Sequence, residues 1–291
     1  MTSREPTDIH QPSGPAELGE PLPPITELIS VERVGTERYR GVSPHRWPGE
    51  RVFGGLVAAQ SLMAAGQTIT GLRPHSLHAY FLRLGRPELP LDYTVTRVRD
   101  GRSFATRSVE VTQSGEVIFT MIASFHHDEP GASYQLNRST DDVPSDEPAG
   151  DVLPYLAALT DLDVRDLGPT PPEADGTFRS TLRMWLRVRD ELPDDPLLHA
   201  SIITLMSDMG TVTAARPPSD ADSDRPFMAA SLDHAVWFHR DIRADDWLLY
   251  DLHSVSAAGA RALSRGLMHS ADGTLGVSVT QEALVRTERK R

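Results

Sequence analysis

An internal repeat is the feature that most constrains what this chain can fold into. The segment PHSLHAYFLR over residues 74–83 aligns without a gap with SLDHAVWFHR over residues 231–240. Residues 106–124 align in the same way with residues 264–282, and the offset grows from 157 to 158 residues between the two alignments. Self-similarity at such a separation indicates two copies of one structural unit. The chain is therefore predicted to consist of two similar halves.

Each half has the same predicted order of elements, one buried helix followed by antiparallel strands. Residues 53–67 (FGGLVAAQSLMAAGQ) are apolar on nearly all sides, which is typical of a helix enclosed by protein. A second helix is predicted over residues 195–210, with Pro196 in its first turn and Gly210 at its end, and a polar loop over 211–225 follows it. Strands are predicted at 37–41, 75–84, 90–99, 103–112, 116–126, 179–189, 228–240, 246–256, 260–270 and 274–286. The predicted fold class is α+β, with each helix wrapped by an antiparallel sheet and the two sheets paired edge to edge.

Composition sets the expected boundaries of the two units. Residues 1–24 are rich in Pro, Gly and Glu, and we expect a disordered tail there. The first unit is predicted over residues 25–130 and the second over 156–291. Between them, residues 131–155 form a Pro- and Asp-containing break in the pattern, which indicates a linker.

Charge and residue content exclude several classes of function. The chain has 29 Lys and Arg against 41 Asp and Glu, a net charge of −12, whereas a general nucleic-acid binder needs a basic surface. It has no cysteine, which excludes disulfides, thiolate metal sites and a cysteine nucleophile. Metalloprotease, phosphate-loop and dinucleotide motifs are missing, so no metal site is predicted. Without a signal-peptide core or an apolar run of about 18 residues, we expect a cytoplasmic protein with no membrane span.

Comparison of the two halves singles out a glutamine. The second pair of aligned segments sets Arg107 opposite Arg265 and Ala123 opposite Gln281. On the last predicted strand, one face carries Leu275, Val277, Val279, Gln281, Ala283 and Val285. Gln281 is the only polar residue in that row, and burying an amide costs free energy unless it is hydrogen-bonded. We interpret Gln281 as a functional residue, the alternative being an amide bonded to nearby backbone or a register one residue off.

Asp208 and Ser231 are the other two candidates. Asp208 lies two residues before Gly210, where the negative end of the helix dipole disfavours a carboxylate; the alternative is a solvated aspartate on the helix edge. Ser231 begins the predicted strand and shares its parity with Asp233; the alternative is a hydroxyl bonded to its own backbone. Asp233 and His234 beside it suggest a local Ser–Asp–His set, but such a triad is defined by geometry and not by adjacency. They are more simply interpreted as residues that brace the site.

Two further features are weaker candidates for substrate binding. Gly54 and Gly55 begin the first helix, and helix N-termini present free N–H groups that can hold an oxyanion or a phosphate. The alternative is that glycine there only permits close packing. His75 begins an apolar strand and is a possible substrate-binding residue, although most histidines in such positions are structural.

Six segments resemble the type II acyl-CoA thioesterases, the TesB-like family. They are RVFGGLVAAQSL (51–62), HSLHAYFLRLG (75–85), DGRSFATRSV (100–109), ASLDHAVWFHR (230–240), DDWLLYDLHSVSAAGARALSRG (245–266) and DGTLGVSVTQE (272–282). The resemblance implies a double hotdog fold, hydrolysis of fatty acyl-CoA to free fatty acid and CoA with no separate cofactor, and a homodimer or higher homo-oligomer. It also implies a catalytic Asp, Ser or Thr, and Gln that hold and activate a water. Carried over by motif, these are Asp208 of SDMG, Ser231 of ASLDH and Gln281 of VTQE.

Two rival functions remain open on the sequence alone. A hotdog-fold enoyl-CoA hydratase would use an Asp and His pair, for which Asp233 and His234 are candidates. A non-catalytic acyl-CoA binder is the second, because the first half already has Ala123 at the position of Gln281.

Overall fold

The computed structural model describes residues 22–44, 51–136, 143–144, 161–168, 181–215 and 227–287. Most of the predicted tail and of the predicted linker lies outside these ranges. Leu22, which falls inside the predicted tail, is buried in the core. Gln135, inside the predicted linker, exchanges hydrogen bonds with the backbone of Gly273 and Leu275.

The first half folds into two helices and six strands within the described ranges. They are α1 (Ile25–Leu28), β1 (Glu32–Gly35), β2 (Arg38–Gly41), α2 (Gly54–Gly66), β3 (Arg73–Phe81), β4 (Leu91–Asp100), β5 (Phe104–Gln113) and β6 (Glu116–His126). The predicted helix and the four long strands are confirmed, with ends that differ by at most three residues.

The second half repeats this order. Its elements are β7 (Leu162–Asp166), β8 (Thr181–Val188), α3 (Pro196–Ser207), α4 (Thr211–Ala214), β9 (Phe227–Ser231), β10 (Asp233–Phe238), β11 (Leu248–Ala258), β12 (Arg261–Ser270) and β13 (Leu275–Thr287). Asp195 accepts hydrogen bonds from the N–H groups of Leu197 and Leu198, so it caps α3 where Pro196 was predicted to begin the helix. The predicted loop over 211–225 is wrong at its start, because Thr211–Ala214 form a helical turn.

One antiparallel sheet runs through both halves. Its strand order is β1-β2-β4-β5-β6-β3-β10-β13-β12-β11-β8-β7, and β9 pairs with β13 beside this path. The order of the second half mirrors that of the first, and the halves meet where β3 pairs with β10. The predicted edge-to-edge pairing and the double hotdog fold are therefore confirmed. No helix in the described ranges is long and apolar enough to cross a membrane.

The two long helices lie side by side on the inner face of this sheet and run in opposite directions. Ala- and Leu-rich α2 and the apolar α3 are buried on nearly all sides, as their lack of a polar face predicts. Gly66 at the end of α2 packs against Leu197 at the start of α3. At the other end, Gly55 packs against Asp208, the residue that follows α3. The first turn of α2 in the first half therefore contacts the end of α3 in the second half.

A β-bulge divides the predicted strand over 228–240 into β9 and β10. Ser231 pairs with Ala283, and Ala235 pairs with Thr280. The three residues 232–234 between them therefore lie opposite only two residues, 281–282, on β13. The extra residue reverses the alternation of faces. Ser231 therefore ends β9, instead of beginning a strand, and its side chain shares the inner face with His234 instead of Asp233.

The repeat itself differs from the ungapped alignment by one residue. Arg107 pairs with Ala123, and Ser264 pairs with Gln281, so Ser264 and not Arg265 is the counterpart of Arg107. The additional residue of the second half lies in the turn between β12 and β13. Ala123 keeps its place opposite Gln281, so the comparison that identified the glutamine is unaffected.

Candidate active site

A cleft opens where the start of α2 meets the end of α3. Its volume is about 400 Å³, and both halves line it. The first half contributes mostly apolar side chains and two arginines, namely Arg51, Val52, Phe53, Val57, Phe81, Arg83, Leu84, Ile118 and Phe119. The second half contributes Asp208 and Ser231 together with small residues of α4 and β9. The carboxylate and hydroxyl groups are thus on the wall from the second half, and the two guanidinium groups are on the wall from the first.

Asp208 is a buried carboxylate held between two helix ends. It is the C-cap of α3, and only 7% of the residue is exposed, so the solvated alternative is wrong. Its Oδ2 accepts the N–H of Gly55 at 2.8 Å, in the first turn of α2. The positive end of the α2 dipole therefore offsets the negative end of α3. A Cβ on Gly55 would stand 2.7 Å from the carbonyl oxygen of Leu205, so this close approach requires glycine.

Gln281 joins the three predicted residues into one hydrogen-bonded group. The residue is 1% exposed, and its Nε2 donates to Ser231 Oγ at 2.8 Å and to Thr211 Oγ1 at 2.7 Å. The Ser231 hydroxyl in turn lies 3.5 Å from Asp208 Oδ1, a long contact. The structure thus brings Asp208, Ser231 and Gln281 together, although they are up to 73 residues apart in the chain.

His234 fixes the orientation of the Gln281 amide. Its Nδ1 lies 2.5 Å from Gln281 Oε1 and its Nε2 lies 2.7 Å from Ser207 Oγ. Since a carbonyl oxygen can only accept, Nδ1 carries the hydrogen. Burial lowers the pKa of His234, against the opposing charge of Asp208, so the neutral ring is favoured, while the Ser207 hydroxyl also donates to the Thr204 carbonyl. This chain of donors directs the Gln281 NH₂ toward Ser231.

Of the three weaker candidates, the two glycines lie at the start of α2 beside the cleft and His75 lies elsewhere. Gly54 lines the cleft, but the N–H of Gly55 is already bonded to Asp208. His75 lies at the opposite end of β3 from Phe81, about 20 Å along the strand, where its Nε2 is 2.8 Å from Ser124 Oγ. The structure does not bring His75 to the cleft.

Asp233 and His234 point to opposite sides of their strand. Asp233 Oδ1 accepts the backbone N–H of Glu282 at 2.7 Å, whereas the His234 ring is fully buried against Gln281. Asp233 therefore braces the bulge, and the two residues do not form the acid–base pair that a hydratase would need.

Thr211 is the site residue that the sequence prediction missed. It lay in a segment predicted to be a polar loop, but its hydroxyl donates to the Asp208 carbonyl at 2.9 Å and accepts from Gln281. The only signal for it is the adjacent Gly210, whose positive φ of 77° turns the chain directly after α3. That turn places the hydroxyl between Asp208 and Gln281.

Four histidines, of which only His234 and His199 are buried, make the protein sensitive to mild acid. Burial lowers the pKa of His234, His75, His199 and His239 below the ordinary value of 6.5. Below about pH 6.5 the unfolded chain then binds more protons than the folded one, so the free energy of unfolding falls as the pH is lowered. We expect the melting temperature to decrease from pH 7 to pH 5, and His234→Gln to flatten this decrease. An unchanged slope in the variant would show that His234 is not buried in its neutral form.

Comparisons with known proteins cover both halves. The family models described as acyl-CoA thioesterase N-terminal domain and acyl-CoA thioesterase C-terminal domain match residues 43–126 and 138–285. Human acyl-coenzyme A thioesterase 8 is 32% identical over 289 residues, which cover 91% of this chain and 89% of that protein. The crystal structure of the acyl-CoA thioesterase II TesB2 from Mycobacterium marinum is 40% identical, with a TM-score of 0.77 over 91% of this chain and 98% of that chain. A hot dog fold protein of unknown function from Alicyclobacillus acidocaldarius, 20% identical, covers 90% of this chain and 98% of its own with a TM-score of 0.72, and is alike in fold.

Proposed function

The chain belongs to the acyl-CoA thioesterase family and is a thioester hydrolase, and on that premise we propose that Asp208, Ser231 and Gln281 activate the hydrolytic water. The observation that carries the proposal is the hydrogen-bonded group in which Gln281 reaches Ser231 and Ser231 faces the Asp208 carboxylate. A carboxylate, a hydroxyl and an amide at one wall of an apolar cleft can hold a water and accept its proton.

In the proposed reaction Asp208 is the general base. Among the described residues its Oδ1 makes only the long contacts of 3.5 Å to Ser231 and 3.4 Å to Thr211, so this oxygen can accept a proton, whereas Oδ2 is held by Gly55. Asp208 takes a proton from water as the water oxygen bonds to the thioester carbonyl carbon. Collapse of the tetrahedral intermediate breaks the C–S bond, and the thiolate of CoA leaves and recovers the proton from Asp208. The products are a free acid and CoA.

Ser231 and Gln281 position the water rather than exchange protons with it. The Gln281 amide donates to Ser231 Oγ, which leaves the hydroxyl hydrogen directed toward the Asp208 side of the cleft. A water that accepts a hydrogen bond from Ser231 and donates one to Asp208 would be held in a single orientation. Positioning of this kind removes much of the entropic barrier to attack.

The remaining walls of the cleft fit the rest of an acyl-CoA substrate. Phe53, Phe81, Leu84 and Ile118 offer apolar surface for a fatty chain. Arg51 and Arg83 supply positive charge at the same cleft, where the phosphates of CoA carry negative charge. The Gly54 N–H in the first turn of α2 is the proposed oxyanion donor, since the neighbouring Gly55 N–H is bonded to Asp208.

Thiol release from a series of saturated acyl-CoA esters tests this function. We expect stoichiometric CoA thiol and free acid from fatty acyl-CoA, and no loss of the enoyl absorbance when crotonyl-CoA is tested for hydration. Binding of acyl-CoA without thiol release would favour the non-catalytic binder, and loss of the enoyl absorbance without thiol release would favour a hydratase.

A further inference from the structure

We propose that the chain carries a second pocket that binds the phosphate-bearing part of coenzyme A without hydrolysing a thioester. This pocket lies at the start of α3 and has a volume of about 280 Å³. It lies at the start of α3 as the active cleft lies at the start of α2, so the two pockets are in equivalent positions of the repeat. The proposal rests on the proposed function in one respect, since it takes its ligand from the substrate of the active cleft.

Equivalent arginines mark the two pockets as copies of each other. Arg83 lines the active cleft, and its Nη1 donates to the carbonyl of Val117 at the start of β6. Arg240 lines the second pocket, and its Nη1 donates to the carbonyl of Leu275 at the start of β13, at 3.1 Å. An aromatic ring two residues earlier on the strand also lines each pocket, Phe81 in one and Phe238 in the other. The repeat has therefore preserved both the pocket and its guanidinium.

The catalytic groups are missing from the second copy. The contact of Gly66 with Leu197 mirrors that of Asp208 with Gly55, so Gly66 stands in the place of the base. The site residues Asp208, Ser231, His234 and Gln281 correspond in the second pocket to Gly66, Pro74, Leu77 and Ala123, in that order. None of these four side chains can hold or activate a water. A thioester that entered this pocket would be bound and not cleaved.

The charges at the second pocket suit an anionic ligand. Its lining has the three arginines Arg73, Arg240 and Arg243 together with Asp194 and Asp241, and the active cleft has Arg51 and Arg83 together with Asp208. Arg243 is held at 2.9 Å by Asp245, whose side chain is only 9% exposed, and reaches Asp194 at 3.5 Å. The contacts of Arg73 with Asp241 and of Arg243 with Asp194 are to side chains that are 72% and 96% exposed, and exposed ion pairs contribute little. A phosphate can replace such partners. The guanidinium of Arg240 contacts no carboxylate among the described residues and donates to Leu275, Ser133 and Tyr134 oxygens.

A buried histidine at the second pocket carries a ring N–H without a well-formed hydrogen bond in the described part of the chain. His199 lines the second pocket and is only 5% exposed. Its Nδ1 accepts the N–H of Ala244 at 3.1 Å, so the neutral ring carries its hydrogen on Nε2. Nε2 forms no hydrogen bond of good geometry among the described residues, and the Pro193 backbone is only a weak acceptor for the ring, although buried polar atoms are nearly always paired. The pocket thus has a polar ring at this position, whereas the active cleft has apolar Val57 on the equivalent helix face.

Counting the CoA bound per chain by isothermal titration calorimetry tests the proposal, with free CoA as the probe because it cannot be hydrolysed. We expect two CoA per wild-type chain. Arg73→Glu reverses an exposed charge and Ala200→Phe fills the pocket, so each should weaken one site about tenfold or more, with acyl-CoA hydrolysis retained. Arg51→Glu is the matched control, which should weaken the other site. Pantetheine, which lacks the phosphates, should not occupy the second pocket.

A stoichiometry of one CoA per chain, sensitive to Arg51→Glu, would overturn the proposal. So would a second site that neither Arg73→Glu nor Ala200→Phe affects. Because the measurement counts bound CoA, it is independent of thiol release, and a failure of the proposed function would appear only in the hydrolysis assay. Melting curves of both variants show whether a lost site reflects a lost fold.

Discussion

Replacement of Asp208 by Asn is expected to lower kcat for acyl-CoA hydrolysis by about 10²–10⁴-fold, the usual contribution of a positioned general base. The amide keeps the volume of the carboxylate, and its oxygen can still accept the Gly55 N–H at the start of α2. The fold and the affinity for substrate should therefore change little, while the proton of the attacking water has no acceptor. The measurement is the initial rate of thiol release at saturating acyl-CoA, together with a melting curve.

Asp233→Asn is the matched control for this experiment. Asp233 lies two residues from Ser231 and was part of the local Ser–Asp–His set that the sequence suggested, but its carboxylate bonds to the backbone of Glu282 and faces away from the cleft. We expect this variant to keep most of its activity. If Asp208→Asn kept full activity and Asp233→Asn lost it, the assignment of the base would be wrong.

Gln281 and Asp208 could be identified in the sequence because each breaks a local pattern. Gln281 interrupts an apolar strand face, and Asp208 opposes a helix dipole. Each placement costs free energy on its own, and each is offset by hydrogen bonds to residues that are distant in sequence. The Gln281 amide bonds to His234 and Thr211, and the Asp208 carboxylate accepts the N–H of Gly55. A pattern in one sequence can show that such partners must exist, but it cannot show which residues they are.

The bulge at Leu232 explains a different kind of error. Alternation along the predicted strand placed Ser231 on the face of Asp233, and one additional residue moved it to the face of His234. Bulges depend on the hydrogen bonds of the neighbouring strands, here the N–H of Leu232 to Glu282 and its carbonyl to Phe81, and no side chain in the segment signals them. Register within a strand was therefore less predictable than the strand itself.

The structure also explains why only one of the two halves is proposed to be catalytic. In the first half the buried guanidinium of Arg107 lies beside Ala123 and bonds to Thr68 and Asp100. In the second half the counterpart of Arg107 is the small Ser264, which lies beside Gln281. The first half thus combines a large Arg107 with a small Ala123, whereas the second half combines a small Ser264 with the larger Gln281.

Gln281→Ala, which introduces the residue of the first half, is expected to lower kcat by about 10²–10³-fold, as loss of a fixed donor at a reacting centre typically does. It also leaves His234 Nδ1–H and Thr211 without their partner, which should reduce the free energy of unfolding by about 1–3 kcal/mol. KM should change less than kcat, because Gln281 holds Ser231 and the water and not the acyl chain. Thiol release and chemical denaturation measure the two effects separately.

The double variant Asp208→Asn/Gln281→Ala distinguishes one shared role from two independent ones. If both residues act on the same water, removal of the base already abolishes the attack that the amide positions, and residues that act as a unit give non-additive losses. We expect the double variant to be about as slow as Asp208→Asn alone. A loss equal to the product of the two single effects would mean that Gln281 stabilises the transition state without Asp208, and the hydrogen bond from Gln281 to Ser231 would then not be part of water activation.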